Sequence, residues 1–186
     1  ITLEMAEERI AERIDANLLD VTMEDLHDMP KQLYDGKIKK VREKTQGQLI
    51  IKEYPTASAH SGHFKSLINE LALKKSFRPD VIFIDYLNIC ASARFKGGNI
   101  SSYFYIKAIA EELRGLAVEA DVPIFSATQT TRTGFVSTDL GLEDTSESFG
   151  LPATADFMFA LMSNEELEQL GQMKVKQLKN RYKNQA

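Results

Sequence analysis

Hydrophobic and polar positions follow two rhythms along this chain. Continuous apolar runs fall at "QLIIKEY" (48–54), "VIFIDYL" (81–87), "VPIFSAT" (122–128) and "DFMFALM" (156–162). Runs of that length read as strands of a parallel sheet covered on both faces. A weaker run, "KVKQLKNRY" (174–182), predicts a further strand, and the opening "ITL" predicts the end of another. Between the runs the period becomes helical. Phe64, Leu67, Ile68 and Leu71 form one stripe. Ile106, Ile109, Ala110, Leu113, Leu116, Ala117 and Ala120 form a second, and Met5, Ile10, Ile14 and Leu18 a third. These spacings suit helices that cover a sheet. Strands alternating with helices predict a doubly wound α/β domain, its sheet mainly parallel and flanked by helices.

Two stretches interrupt these rhythms and read as loops, 91–102 and 130–148. The second is long for a structureless connection, and such loops are usually functional. Composition changes the picture little. The chain has 186 residues, 43% hydrophobic and 27% charged, enough for one domain with a core. No apolar run approaches the ~20 residues that span a bilayer. The single cysteine, Cys90, excludes an internal disulfide and fits a reducing, cytoplasmic compartment. A net charge of −4 excludes a basic nucleic-acid coat, so any such contact must come from local patches. One patch is present, where Lys174, Lys176, Lys179, Arg181 and Lys183 crowd together. Both ends read as cut, so a domain truncated at both ends of a longer protein is expected.

Chemistry enters with Asp85, a carboxylate set in the run "VIFIDYLNI" (81–89). An ionised Asp in an apolar setting costs several kcal/mol, roughly, unless a cation, hydrogen bonds or water compensate it. Ligands of doubly wound sheets bind beyond the carboxyl ends of the strands. Glu4, Asp85 and Gln129 all fall at predicted strand ends. An Asp after four apolar strand residues is also the Walker B arrangement, in which the carboxylate holds hydrated Mg²⁺ on a nucleotide.

The segments "TLEM", "VIFIDYLNI", "IFSATQTTR", "TSESFGLPATAD" and "KQLKNRY" run in the order of the motifs of the DnaB-like hexameric replicative helicases. The chain therefore resembles the RecA-type motor domain of that family over essentially its whole length. In "YIKAIAEELRGLAVE" and "SFGLPATADFM" it is most similar to the helicases of T-even-like phages. The resemblance implies a RecA-like fold that hydrolyses ATP with Mg²⁺ and moves along single-stranded DNA as a hexameric ring, with primase and a helicase loader as partners. It implies that Glu4 polarises the attacking water and that Asp85 is the metal-holding acid. It implies that Gln129 senses the γ-phosphate, and that Lys179 and Arg181 reach the neighbouring subunit's nucleotide. DNA contacts are implied for Arg132, Ser146, Glu147 and Ser148.

The chain also departs from the family. No G-x-x-x-x-G-K-[ST] phosphate loop is present, and "HSGHFKS" (60–66) lacks the glycines and the Lys-Ser/Thr pair to replace it. Where many relatives carry a basic residue ahead of the DNA-contacting glutamate, Ser146 stands here. Two other readings stay open: a recombinase or circadian-type ATPase of the same fold, and a non-catalytic DNA-binding or scaffold relative. His60 and His63 read as polar residues at a helix start, since no third ligand lies near. Cys90 reads as a small buried residue. Arg94 and Lys96 read either as phosphate contacts or as solubilising charges.

Overall fold

The computed structural model describes residues 1–95, 100–130, 140–144 and 150–182, with the side chain of Glu143 left aside. Seven helices are described: α1 Glu7–Leu19, α2 Met23–Asp28, α3 Lys31–Lys44, α4 Ser61–Lys75, α5 Ser102–Ala120, α6 Gly150–Thr154 and α7 Glu165–Gln169. The strands are β1 Ile82–Ile84, β2 Ile124–Ser126, β3 Phe157–Met162 and β4 Lys174–Asn180. The three periodic stretches become α1, α4 and α5. Residues 20–47, where no element is predicted, hold α2 and α3. Helix α2 starts on a capping box: Thr22 Oγ1 accepts from Asp25 N–H, and Asp25 Oδ2 accepts from Thr22 N–H.

The sheet is parallel where the nucleotide-type edge is expected. Strand β1 pairs with β2, with Ile82 opposite Ile124 and Ile84 opposite Ser126. Thr2 then bridges both Asp85 and Glu53 in parallel fashion. The bonds are Leu3 N–H to Asp85 O at 2.9 Å, Asp85 N–H to Ile1 O at 3.0 Å and Tyr54 N–H to Thr2 O at 2.9 Å. The chain order across the sheet is therefore 53, 2, β1, β2.

Three strand expectations need correction. The run 48–54 is not a strand; only Glu53 pairs, and Leu49 is exposed. With one neighbour at a sheet edge, most of that run has nothing to bond. The runs 81–87 and 122–128 shorten to three residues each, because the chain turns away after Ile84 into a 3-10 turn over Leu87–Ile89. The last two strands pair antiparallel, from Phe157 opposite Asn180 to Met162 opposite Lys174. Their ladder slips between Met158 and Phe159.

The core lies on one side of the parallel strands. Ile82 and Ile84 point into it with Phe64 of α4 and Ile106, Ile109, Leu113 and Leu116 of α5, all buried. Phe64 is fully enclosed, and its ring meets Tyr54 edge-on at 5.7 Å. Phe83 and Phe125 point the other way, stacked at 5.3 Å yet 59% and 48% exposed. The expected cover on both faces is thus present on one face among the described residues.

Candidate functional site

Alternation of side chains along β1 settles the place of Asp85. Ile82 and Ile84 face the core, so the next residue faces away, and the strand has already ended. Asp85 is exposed rather than enclosed in an apolar run. Its backbone is pinned on both sides by the bridge to the first residues of the chain. The Asp85–Tyr86 peptide is cis.

Glu4 reaches the same edge from the next strand. Thr2 is buried between its neighbours, and its hydroxyl donates to Met5 O at 2.8 Å while accepting from Met5 N–H at 3.1 Å. That tight turn leaves Glu4 exposed two residues beyond the Thr2–Asp85 bridge. Gln129 follows β2 by three residues, and its Nε2 donates to the Tyr86 hydroxyl at 3.2 Å. Three strand ends therefore gather Glu4, Asp85 and Gln129 at one edge. Two buried oxygens belong to the same segments, Asn88 Oδ1 and Thr128 Oγ1, and neither has a hydrogen-bond partner among the described residues. Buried polar atoms are normally paired. An exposed carboxylate at the end of a strand has room to meet a hydrated divalent cation.

Lys179 and Arg181 form a second group on other elements. Lys179 is the penultimate residue of β4, whereas Arg181 lies one residue past its end, so the expected strand does not hold both. Their side chains still converge. Lys179 Nζ donates to Pro152 O and, at 3.4 Å, to Ala153 O. Arg181 Nη2 donates to Ala153 O at 2.8 Å and Thr154 O at 3.3 Å. These carbonyls end α6, where cations are favoured. The pair is thus engaged by its own chain instead of standing free in solvent. Partial burial, followed by the neighbouring Arg181 charge, holds the Lys179 ammonium below its usual range.

Asp156 and Arg114 complete that group and escape notice in the sequence, where Asp156 merely opens the run 156–162 and Arg114 lies inside a helical period. Arg114 Nη1 lies 2.6 Å from Asp156 Oδ1, and Arg181 Nη1 lies 3.1 Å from the same oxygen. Tyr86 is a further partner that spacing does not reveal, although it adjoins Asp85.

The remaining candidates divide. Arg132, Ser146, Glu147, Ser148 and Lys96 lie outside the described residues. Arg94 pairs with Glu111 at 2.6 Å. His60 and His63 cap α4: His60 Nδ1 accepts from Gly62 N–H at 3.0 Å, and His63 Nδ1 from His60 N–H at 3.2 Å. Cys90 is buried, and that burial, with the nearby Glu112 charge, pushes its thiol up to about 12. It is not a reactive thiolate.

Comparison with known proteins places the chain. The DnaB-like helicase C-terminal domain family matches residues 1–183. The DnaB-like replicative helicase of Enterobacteria phage T4 is 50% identical over 185 residues, 98% of this chain. The chain spans 39% of that relative's length. A solved DnaB-like replicative helicase, described with its interactions with primase, superposes with a TM-score of 0.75 at 21% identity, over 97% of this chain and 44% of its own. A second solved structure, of an ATPase domain, superposes with the same TM-score of 0.75 at 19% identity, over 97% of this chain and 66% of its own. Both share the fold described above, a RecA-like α/β domain.

Proposed function

The chain belongs to the DnaB-like helicase C-terminal domain family, and we propose that residues 1–186 form one motor domain of an ATP-driven replicative DNA helicase. The observation that carries this reading is the edge where Glu4 and Asp85 stand exposed on neighbouring segments joined by the Thr2–Asp85 bridge, with Gln129 tied to Tyr86. Asp85 is the residue that would hold Mg²⁺, which supplies charge stabilisation to the phosphates when bound. Glu4 accepts the proton of the attacking water. Gln129 reports the state of that site to the DNA-contacting segments, among which we place Arg132, Ser146, Glu147 and Ser148. Lys179 and Arg181 serve the neighbouring subunit's nucleotide. Their bonds to α6, on elements apart from the Glu4–Asp85 edge, support that division.

In this reading the full-length protein is a hexameric ring on single-stranded DNA, with primase and a loader as partners, in the cytoplasm of a bacterial host. No described helix is long and apolar enough to cross a membrane.

Two measurements test the proposal. Gln129→Ala in the full-length protein is expected to keep basal ATP hydrolysis and lose most stimulation by single-stranded DNA. Stimulation equal to the parent's takes Gln129 out of the coupling role. Residues 1–186 alone, which carry no phosphate loop, are expected to hydrolyse no measurable ATP and to bind it feebly. Micromolar ATP affinity of that piece by calorimetry contradicts this expectation.

A further inference from the structure

We propose that Asp156 and Arg114 are positioning residues for the cationic pair Lys179 and Arg181, presenting it ready-made to the neighbouring subunit. The inference rests on the reading of Arg181 as a finger acting in trans.

The geometry is a nested set of charge pairs. The Asp156 carboxylate immediately precedes β3, and Arg181 immediately follows β4; the backbone joins them through Arg181 N–H to Asp156 O at 2.8 Å. One oxygen, Asp156 Oδ1, then meets two guanidinium groups: it accepts from Arg114 at 2.6 Å and forms an ion pair with Arg181 at 3.1 Å. Arg114 comes from α5 and also donates to Thr154 O at 2.8 Å. It therefore fixes both things that Arg181 leans on, the carboxylate and the end of α6. Helix α6 is itself clamped to α5: Leu151 and Pro152 are buried, and a Cβ on Gly150 would come within 2.8 Å of Lys107 Cγ. The scaffold behind the pair is thus α5, the longest described helix in the fold.

Donor arithmetic shows why this is a mount and not a sink. A guanidinium carries five N–H donors and an ammonium three. The partners of Arg181 among the described residues are Asp156 Oδ1, Ala153 O and Thr154 O, and those of Lys179 are Pro152 O and Ala153 O. Each cation keeps donors for an incoming phosphate. Their shared hold on Ala153 O sets them side by side. Fixing such groups before the reaction removes the cost of ordering them, and misplacement by about 1 Å can cost ~100-fold in rate. Neutralising the Asp156 carboxylate removes the ionic one of the three contacts that hold the Arg181 side chain, without altering its charge or the shape of the site.

The test uses full-length rings. Asp156→Asn is expected to lower kcat for ATP at least ~10-fold while KM changes less than ~3-fold, because the nucleotide's own pocket is intact. Arg114→Gln is expected to do the same, and it carries the test if Asp156→Asn fails to assemble. Mixing separates positioning from general damage. Glu4→Gln subunits keep their pair but cannot turn over ATP, so adding them to Asp156→Asn subunits should raise hydrolysis above both parents. Adding Arg181→Ala subunits to Asp156→Asn subunits should raise nothing, since both lack a working pair. Normal kcat in Asp156→Asn and Arg114→Gln, or no gain on mixing with Glu4→Gln, overturns the positioning role. If Arg181→Ala itself hydrolyses ATP normally, the trans-finger reading fails instead.

Discussion

Full-length protein carrying Glu4→Gln is expected to bind ATP with the parent's affinity and to hydrolyse it at least ~100-fold more slowly, the scale of a lost general base. Thr2, through its bridge to Asp85 and its turn onto Met5, fixes the approach of Glu4 to the edge. The carboxylate is exposed and two residues from the bridge. Glutamine keeps the shape and removes the basicity. Asp85→Asn contrasts with it, because loss of the acid proposed to hold the metal should weaken Mg²⁺-dependent binding and turnover together. Equilibrium binding and steady-state hydrolysis on the two variants separate these effects. A normal turnover rate in Glu4→Gln moves the role of base to another carboxylate.

Arg181→Ala is expected to have the larger effect. A cationic finger supplied in trans is worth roughly 10³–10⁵ in rate in nucleotide hydrolases, through charge stabilisation that develops in the transition state. The residue is held in place by Asp156 Oδ1, Ala153 O and Thr154 O. The contrary expectation is an ordinary basic surface, whose removal would change only salt-sensitive DNA affinity. Hydrolysis at saturating ATP, measured across a range of salt, distinguishes the two: the finger predicts a collapsed kcat at every salt concentration.

The sequence reveals most where burial imposes a period. Helix α5 is legible because Ile106, Ile109, Leu113 and Leu116 must all meet the sheet. Asp85 is legible as a strand-end acid because four apolar residues precede it. Helix α3 is not, since none of its residues is buried and only the partly covered Tyr34, Ile38 and Val41 mark a stripe. It is anchored to α1 by a polar bond that no period announces, Tyr34 Oη donating to Asp15 Oδ2 at 2.6 Å. The run 48–54 misleads for the opposite reason. Its residues have strand character, but pairing needs a neighbour, and at a sheet edge only Glu53 finds one. The same limit hides half of the cationic cluster. Period-2 alternation places Lys179 and Arg181 on one side, yet nothing local tells that α6 supplies the carbonyls or that Arg114, 67 positions before Arg181, shares their carboxylate.

In the proposed ring the Glu4–Asp85 edge of one subunit is completed by Arg181 of the next. Mixed rings test it most directly. Full-length Arg181→Ala subunits, with an intact Glu4, are combined with Glu4→Gln subunits that keep Arg181, and ring assembly is verified by mass. A subunit with a working base then borrows the cation of its neighbour. Mixed rings are expected to hydrolyse ATP well above either inactive parent. Assembled mixed rings as inactive as their parents contradict it.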